Sequence, residues 1–167
     1  MNFARFLSPA SIDLYADFSC YEEGEEEFTK KQKQQNREEV LYNIAELLDA
    51  SGRVNNCSQL YKSLKNNNRK ASSAIGEGIA IPHARCMQSK NLTMCFLRCM
   101  EGVDFDSPDD TKVNIFIGIT APPYDDKLYL RLYKSIAKAL LETDVKDVLL
   151  DVEEPGEVIR AFNTYFI

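Results

Sequence analysis

The strongest constraint on the fold is a switch in hydrophobic period between residues 92 and 140. Over residues 113–120 apolar side chains fall on every second position, which is the period of a β-strand. Pro122 and Pro123 end this strand, because proline has no backbone N–H to donate to a sheet. The period then becomes helical, with apolar residues at Leu132, Tyr133, Ile136, Ala137 and Leu140. The apolar run at 92–100 predicts another strand just before this segment.

Further short elements are predicted on either side. Strands are expected at 11–17 and 79–81, and the glycines of segment 75–78 indicate a turn. A helix is expected after a capping box made by Asn36 and Glu39, with an apolar stripe over 40–48 and a stop at Gly52. A second helix is predicted at 57–64, capped by Asn55 or Asn56 and broken by the asparagines 66–68. A last helix fits 155–162, so strands alternate with helices and an α/β fold is expected.

Composition narrows the class of protein. The 167 residues suffice for one domain with a hydrophobic core, and we expect a single domain over 1–167 with a charged polar insertion at about 22–35. The net charge of −6 argues against nucleic acid as a partner, since nucleic-acid binders carry basic patches. We expect no membrane insertion, because no run reaches about 18 apolar residues. The N-terminus lacks a signal-peptide core and the five cysteines are scattered, so a cytoplasmic location is expected.

The candidate for chemistry is His83, the single histidine of the chain. A lone histidine is often structural, but this one follows a strand and Pro82, which fixes the backbone before the ring. Gly76 and Gly78 allow close backbone approach to a ligand, and Ser72 and Ser73 offer hydroxyl donors. Imidazole is a nucleophile with an ordinary pKa of about 6.5, which suits reversible phosphoryl transfer at neutral pH.

Other site chemistries are less well supported by the residues. Zinc would need clustered ligands, and the sequence has neither a CxxC motif nor a second histidine, so no metal is expected. A Cys86–His83 pair is an alternative nucleophile arrangement, although such pairs rarely come from sequence neighbours. Segment 76–78 is not a dinucleotide fingerprint, and no Walker A lysine is present, which disfavours an ATP-driven kinase. No cofactor is expected.

The segment SSAIGEGIAIPH, which ends at His83, resembles the signature of the IIA domains of the bacterial sugar phosphotransferase system (PTS). The similarity is to the mannitol/fructose class, which includes the stand-alone nitrogen-regulatory IIA proteins. The segments 102–106, 112–116 and 121–122 resemble the next conserved blocks in the same order. The resemblance implies a mixed β-sheet flanked by helices and a phosphohistidine at His83. It implies a tele-phosphohistidine intermediate, whereas the residues alone leave either ring nitrogen open.

The resemblance also implies partners and a set of phosphate-binding residues. A phosphorylated histidine carrier protein would donate the phosphate, and a IIB domain or a regulatory target would receive or sense it. The expected phosphate-binding residues are Ser72, Ser73, Gly76, Gly78, Tyr129 and Arg69. Tyr129 falls where the family usually has a second histidine, and Asn67 with Asn68 replaces its usual Arg-Glu pair, for which Arg69 is the nearest substitute.

Three interpretations of the function follow. In the first, the chain is a phosphotransferase component that accepts phosphate and has a regulatory output of the nitrogen-regulatory type. The missing second histidine and the lack of a fused IIB segment favour this interpretation. In the second, it is a fructose/mannitol-class sugar component that passes phosphate to a IIB domain. An unrelated small enzyme or an inactive scaffold is the third reading. In neither PTS reading is the chain a free-standing enzyme.

Overall fold

A mixed β-sheet with helices on both faces organises the chain. The computed structural model describes residues 2–18 and 29–166. In that part of the chain the strands are β1 (Leu7–Asp13), β2 (Ala74–Gly76), β3 (Ile79–Ala80), β4 (His83–Arg85), β5 (Thr93–Val103) and β6 (Val113–Ala121). Their order is β1-β5-β6-β3-β2, and β4 also pairs with β6. Strands β1, β3 and β4 run parallel to their neighbours, whereas β5–β6 and β2–β3 are antiparallel.

The helices are α1 (Lys30–Asp49), α2 (Cys57–Lys70), α3 (Asp126–Glu142), α4 (Val145–Asp151) and α5 (Pro155–Tyr165), and a 3₁₀ turn spans Phe3–Phe6. The expected α/β fold with a mixed sheet flanked by helices is therefore confirmed. Among the described helices, none combines the length and the apolar character that crossing a membrane requires.

The two central strands, β5 and β6, are buried on both faces over most of their length, so most of their side chains point into one of two cores. Ile117 of β6 joins the core formed with α3, α4 and α5. Phe116 joins the core formed with α1 and α2. Gly118 lies where α1 packs tightly on the sheet, since a Cβ there would stand 2.7 Å from Cγ2 of Ile44 on α1 and 2.6 Å from Sγ of Cys95 on β5. Any larger residue at 118 would push α1 off the sheet.

The first helix begins earlier than its sequence pattern predicts. Thr29 caps it through a capping box with Gln32, so Asn36 and Glu39 lie inside the helix and the predicted start was wrong. Residues 30–35 of the expected polar insertion are thus helical, and Lys33 forms a 3.2 Å ion pair with Asp104. Residues 22–28 of that insertion lie outside the described residues. The predicted stop is confirmed, because Gly52 has φ of +75° just after the helix end.

The second helix runs past the asparagine run that was expected to break it. Asn56 is its N-cap, and the helix continues to Lys70. The run 66–68 is tolerated because its side chains have partners outside the helix: Asn67 bonds the backbone of His83, and Asn68 bonds Ser73. Two further features differ from the prediction. Strand β1 begins at Leu7 rather than Ser11, and a short helix that was not predicted, α4, follows α3.

A buried arginine closes one edge of the core. Arg98 on β5 is only 5% exposed, and its guanidinium donates to the carbonyls of Leu14, Leu149, Leu150 and Val152 at 2.7–3.3 Å. Three of these carbonyls belong to the end of α4 and the residue after it, where helix carbonyls lack intrahelical partners and carry partial negative charge. The arginine therefore satisfies the end of α4 and joins it to the residue that follows β1.

Replacing Arg98 by Ala should destabilise the fold by about 3 kcal/mol or more, because several buried carbonyls would lose their donor. Urea unfolding measures the change in free energy. Arg160→Ala is the matched control, since Arg160 is exposed on α5. Equal stability of the two variants would show that the buried guanidinium contributes nothing.

Candidate functional site

His83 is held at the start of β4 by backbone hydrogen bonds on both sides. It pairs with Ile119 of β6, and the carbonyl of the preceding Pro82 accepts from Ile119 N at 2.9 Å. Ile81 N donates to the carbonyl of Ser73 at 2.9 Å. The carbonyl of His83 accepts from the side chain of Asn67 on α2 at 2.9 Å. The backbone under the imidazole is therefore fixed before any ligand arrives.

The hydrogen bond of the ring decides its tautomer. Nδ1 of His83 lies 2.7 Å from the carbonyl oxygen of Ile81. A carbonyl can only accept, so Nδ1 must carry the proton, and in the neutral ring the lone pair is on Nε2. The geometry thus assigns the nucleophilic position to Nε2.

Two tyrosines of α3 surround the imidazole. The ring centroid of Tyr129 lies 5.9 Å from that of His83, and the ring of Tyr133 meets it edge-on at 5.2 Å. Burial raises the pKa of Tyr129 to about 12, and nearby Arg85 opposes this rise. Burial likewise raises the pKa of Tyr133. Both phenols are therefore neutral hydrogen-bond donors at physiological pH.

A small depression opens beside the histidine, between α2 and the segment that leads to β4. It is lined by Leu64, Asn67, Asn68, Ala71, Ser73, Pro82 and His83. Ser73 is buried, and both its amide and its hydroxyl donate to Oδ1 of Asn68, at 3.0 and 2.8 Å. Amide and hydroxyl groups of this kind can donate to a phosphoryl group. Ser73 and Tyr129 are thus the two expected phosphate-binding residues that the structure brings near His83.

The other expected phosphate-binding residues have different surroundings. Gly76 ends β2, and Gly78 is the second residue of the two-residue turn that leads to β3. The carbonyl of Gly78 accepts from Asn114 and Ile115 at the opposite end of β6 from Ile119. The positive φ values of the two glycines serve this turn. Ser72 donates its hydroxyl to the carbonyl of Phe105 at 2.9 Å. Arg69 pairs with Glu38 on α1 at 3.2 Å.

Sequence reasoning missed Arg85. It lies two residues after His83 on β4, so its side chain leaves the strand on the same side as the imidazole. Its guanidinium is 5.3 Å from the centroid of the Tyr129 ring and forms an ion pair with Asp126, the first residue of α3. The signal in the sequence was that Arg85 lies two residues after His83. This spacing places both side chains on one side only if residues 83–85 form a strand.

The competing arrangements lack support. Cys86 is buried, and its sulfur lies 3.5 Å from the hydroxyl of Ser89 and 3.9 Å from that of Thr120, rather than against the imidazole. Within residues 2–18 and 29–166, no group of three or more His, Cys, Asp and Glu side chains is placed to hold a metal ion.

Comparison with known proteins identifies the family. The family model described as phosphoenolpyruvate-dependent sugar phosphotransferase system, EIIA 2, matches residues 24–165. The chain belongs to this family. The resemblance read from the segment around His83 is therefore confirmed, and the chain is a phosphoryl carrier of the PTS IIA type.

Relatives of this IIA-type chain include both sugar and regulatory proteins. It is 27% identical over 129 residues to the fructose-specific EIIABC component of Bacillus subtilis, covering 77% of this chain and 20% of that protein. The chain thus spans about one fifth of the length of this relative. It is 28% identical over 113 residues to the nitrogen regulatory protein of Pseudomonas aeruginosa, covering 68% of this chain and 73% of that one.

Solved structures share the fold. The nitrogen regulatory protein IIA-Ntr from Neisseria meningitidis matches with a TM-score of 0.76 at 22% identity, over 95% of this chain and 97% of that one. IIA mannitol of Escherichia coli, in its complex with phosphorylated IIB mannitol, matches with a TM-score of 0.67 at 21% identity, over 92% of this chain and 94% of that one. At these identities the likeness establishes the fold.

We expect the neutral imidazole to be the Nδ1–H tautomer, because the Ile81 carbonyl binds that proton. Nitrogen-15 NMR of the histidine-labelled protein tests this, and the single histidine makes the assignment unambiguous. In urea, where the Ile81 contact is lost, the preference for Nδ1–H should disappear. A folded protein that shows the Nε2–H form would contradict the assignment of Nε2 as nucleophile.

Proposed function

We propose that this IIA-type protein accepts a phosphoryl group on Nε2 of His83 from a phosphorylated histidine carrier protein. The observation that carries the proposal is the hydrogen bond from Nδ1 to Ile81, which leaves Nε2 as the ring's lone-pair nitrogen. The clamped backbone holds this nitrogen in one orientation, and catalysis of phosphoryl transfer depends mainly on such positioning and on electrostatic stabilisation. The reaction needs neither a metal nor another cofactor from this chain.

The phosphoryl group brings about −1.5 to −2 charges. Tyr129 and Ser73 are the proposed donors to its oxygens. Tyr129 lies beside the imidazole ring, and Ser73 lines the adjoining depression, where its hydroxyl would exchange its bond to Asn68 for one to the phosphoryl group. Tyr129 is only 6% exposed and neutral, so it supplies one hydrogen bond and no positive charge. Under this proposal Ser72, Gly76, Gly78 and Arg69 act in the fold around the site, through the contacts described above.

We propose a regulatory output, in which the phosphorylation state changes affinity for a protein target. The sequence similarity to a nitrogen regulatory protein supports this assignment. The net charge of −6 suits a basic target protein. A cytoplasmic location agrees with this function.

The alternative is a sugar-transport role with a IIB domain as acceptor. The similarity to a fructose-specific component favours it, and a IIA protein of the same fold is known in complex with a phosphorylated IIB. Transfer of radiolabelled phosphate from this protein to an isolated fructose-class IIB domain tests the alternative. Rapid, complete transfer would favour the sugar role over the regulatory one.

His83→Ala should abolish labelling from phosphoenolpyruvate in the presence of the general PTS enzyme and histidine carrier, because the chain has no other imidazole. The wild-type adduct should be lost in acid and survive base, as a phosphoramidate does. Ser72→Ala should keep full labelling, since its hydroxyl is bonded to Phe105. Acid-stable phosphate that persists in His83→Ala would overturn the proposal.

Tyr129→Phe should lower the phosphorylation rate or equilibrium by about tenfold to a hundredfold, because one hydrogen bond to a charged group is worth roughly 1.5–3 kcal/mol. Tyr129→His should raise transfer to a IIB domain by supplying a group that can become cationic. Tyr15→Phe is the control, as Tyr15 is 78% exposed and bonds the carbonyl of Glu153. Rates that match wild type in both Tyr129 variants would remove Tyr129 from the site.

A further inference from the structure

Arg85 is a cation on the same side of β4 as the proposed phosphoryl acceptor. Residues two apart on a strand point the same way, with Cα atoms about 7 Å apart. His83 and Arg85 meet the same ring from this strand: the imidazole is 5.9 Å from the centroid of Tyr129, and the guanidinium carbon is 5.3 Å from it. A long arginine side chain can therefore reach a group attached to the imidazole.

The present partner of Arg85 holds it only weakly. The ion pair with Asp126 is open to solvent, with side-chain exposures of 42% for Arg85 and 58% for Asp126. Pairs this exposed are worth little, because water screens the attraction and two side chains must be ordered. Asp126 is also the first residue of α3, where the helix dipole favours a carboxylate even without the arginine. Loss of the pair thus costs little.

A phosphoryl group would be a better partner. It offers nearly twice the charge of a carboxylate and oxygens that an arginine fork can bind in a bidentate way. The neighbouring Tyr129 stays protonated and supplies no charge of its own. The gain from binding the phosphoryl group therefore exceeds the loss of the Asp126 pair.

We propose that Arg85 exchanges Asp126 for the phosphoryl group on His83, so that phosphorylation releases the carboxylate of Asp126 at the start of α3. This inference rests on the proposed function. Arg85 is then the phosphate-binding cation of the site. Phosphorylation also changes the protein surface, because the carboxylate of Asp126 loses its ion-pair partner.

The transfer step balances without any further reactant. Nε2 of His83 attacks phosphorus and forms a P–N bond, while the P–N bond of the donor breaks and its electron pair returns to the donor nitrogen. A donor imidazole protonated at its other nitrogen leaves as the neutral ring. His83 keeps the Nδ1 proton on the Ile81 carbonyl, so the phosphorylated ring is cationic and the phosphoryl oxygens carry the negative charge that Arg85 binds.

Phosphoramidate, a small donor of the phosphoryl group, tests the inference without a protein partner. Phosphorus-31 NMR follows the modified fraction at equilibrium and the chemical shift of the adduct at fixed pH. Arg85→Gln should lower the phosphorylation equilibrium by about tenfold or more and move the shift, and Arg85→Lys should recover part of the loss. Asp126→Asn should raise the phosphorylation equilibrium about two- to fivefold, because the carboxylate that competes for Arg85 is gone.

Controls separate this inference from a structural role and from the proposed function. Asp126→Asn should have no effect in the Arg85→Gln background, and Arg160→Gln should match wild type. A wild-type protein that phosphoramidate and the carrier both fail to modify would defeat the proposed function itself. Normal modification of wild type, with Arg85→Gln and Asp126→Asn both unchanged, would defeat only the role of Arg85. If Arg85→Gln unfolds, Asp126→Asn decides alone: an increase supports the exchange, and no change or a decrease overturns it.

Discussion

The antiparallel pairing of β5 with β6 is the interaction on which the rest of the molecule depends. Both strands are buried on both faces, so their alternating side chains build two cores at once. All other strands attach directly or through β3 to this pair, and the helices cover it from each side. Gly118 shows how tightly the pair is covered, since even a methyl group there would collide with Ile44 of α1.

The position of the histidine follows from this pair. β6 carries β3 along its first half and β4 along its second half, and Ile81 with Pro82 separates the two short strands. This break brings the Ile81 carbonyl to the imidazole, while the Pro82 carbonyl stays in the sheet through Ile119. A single local irregularity therefore orients the ring and selects its tautomer. The site needs no loop closure to become ordered, since the core strand already fixes the backbone.

The sequence predicted the parts of this fold that depend on period and composition. The period of two in β6 and the helical stripe of α3 were correct, because the alternating isoleucines of β6 enter the same core as the apolar stripe of α3. The predicted start of α1 was wrong, because its capping residues are hidden in a polar run. The predicted end of α2 was wrong, because it depends on side-chain partners distant in sequence. Asn67 and Asn68 illustrate this: they read as helix breakers locally, whereas their amides bond His83 and Ser73.

The candidate site divides along the same line. His83 was found from a local motif, and Tyr129 from the resemblance, because it falls where the family usually has a second histidine. Arg85 and Tyr133 were missed as site residues because their proximity to the imidazole arises only when β4 packs beside α3. Gly76 and Gly78 show the converse, since these residues lie near His83 in sequence but at the far end of β6. The distance between two residues of an extended chain grows by about 3.3 Å per residue, so five residues of strand already separate the two ends of a sheet.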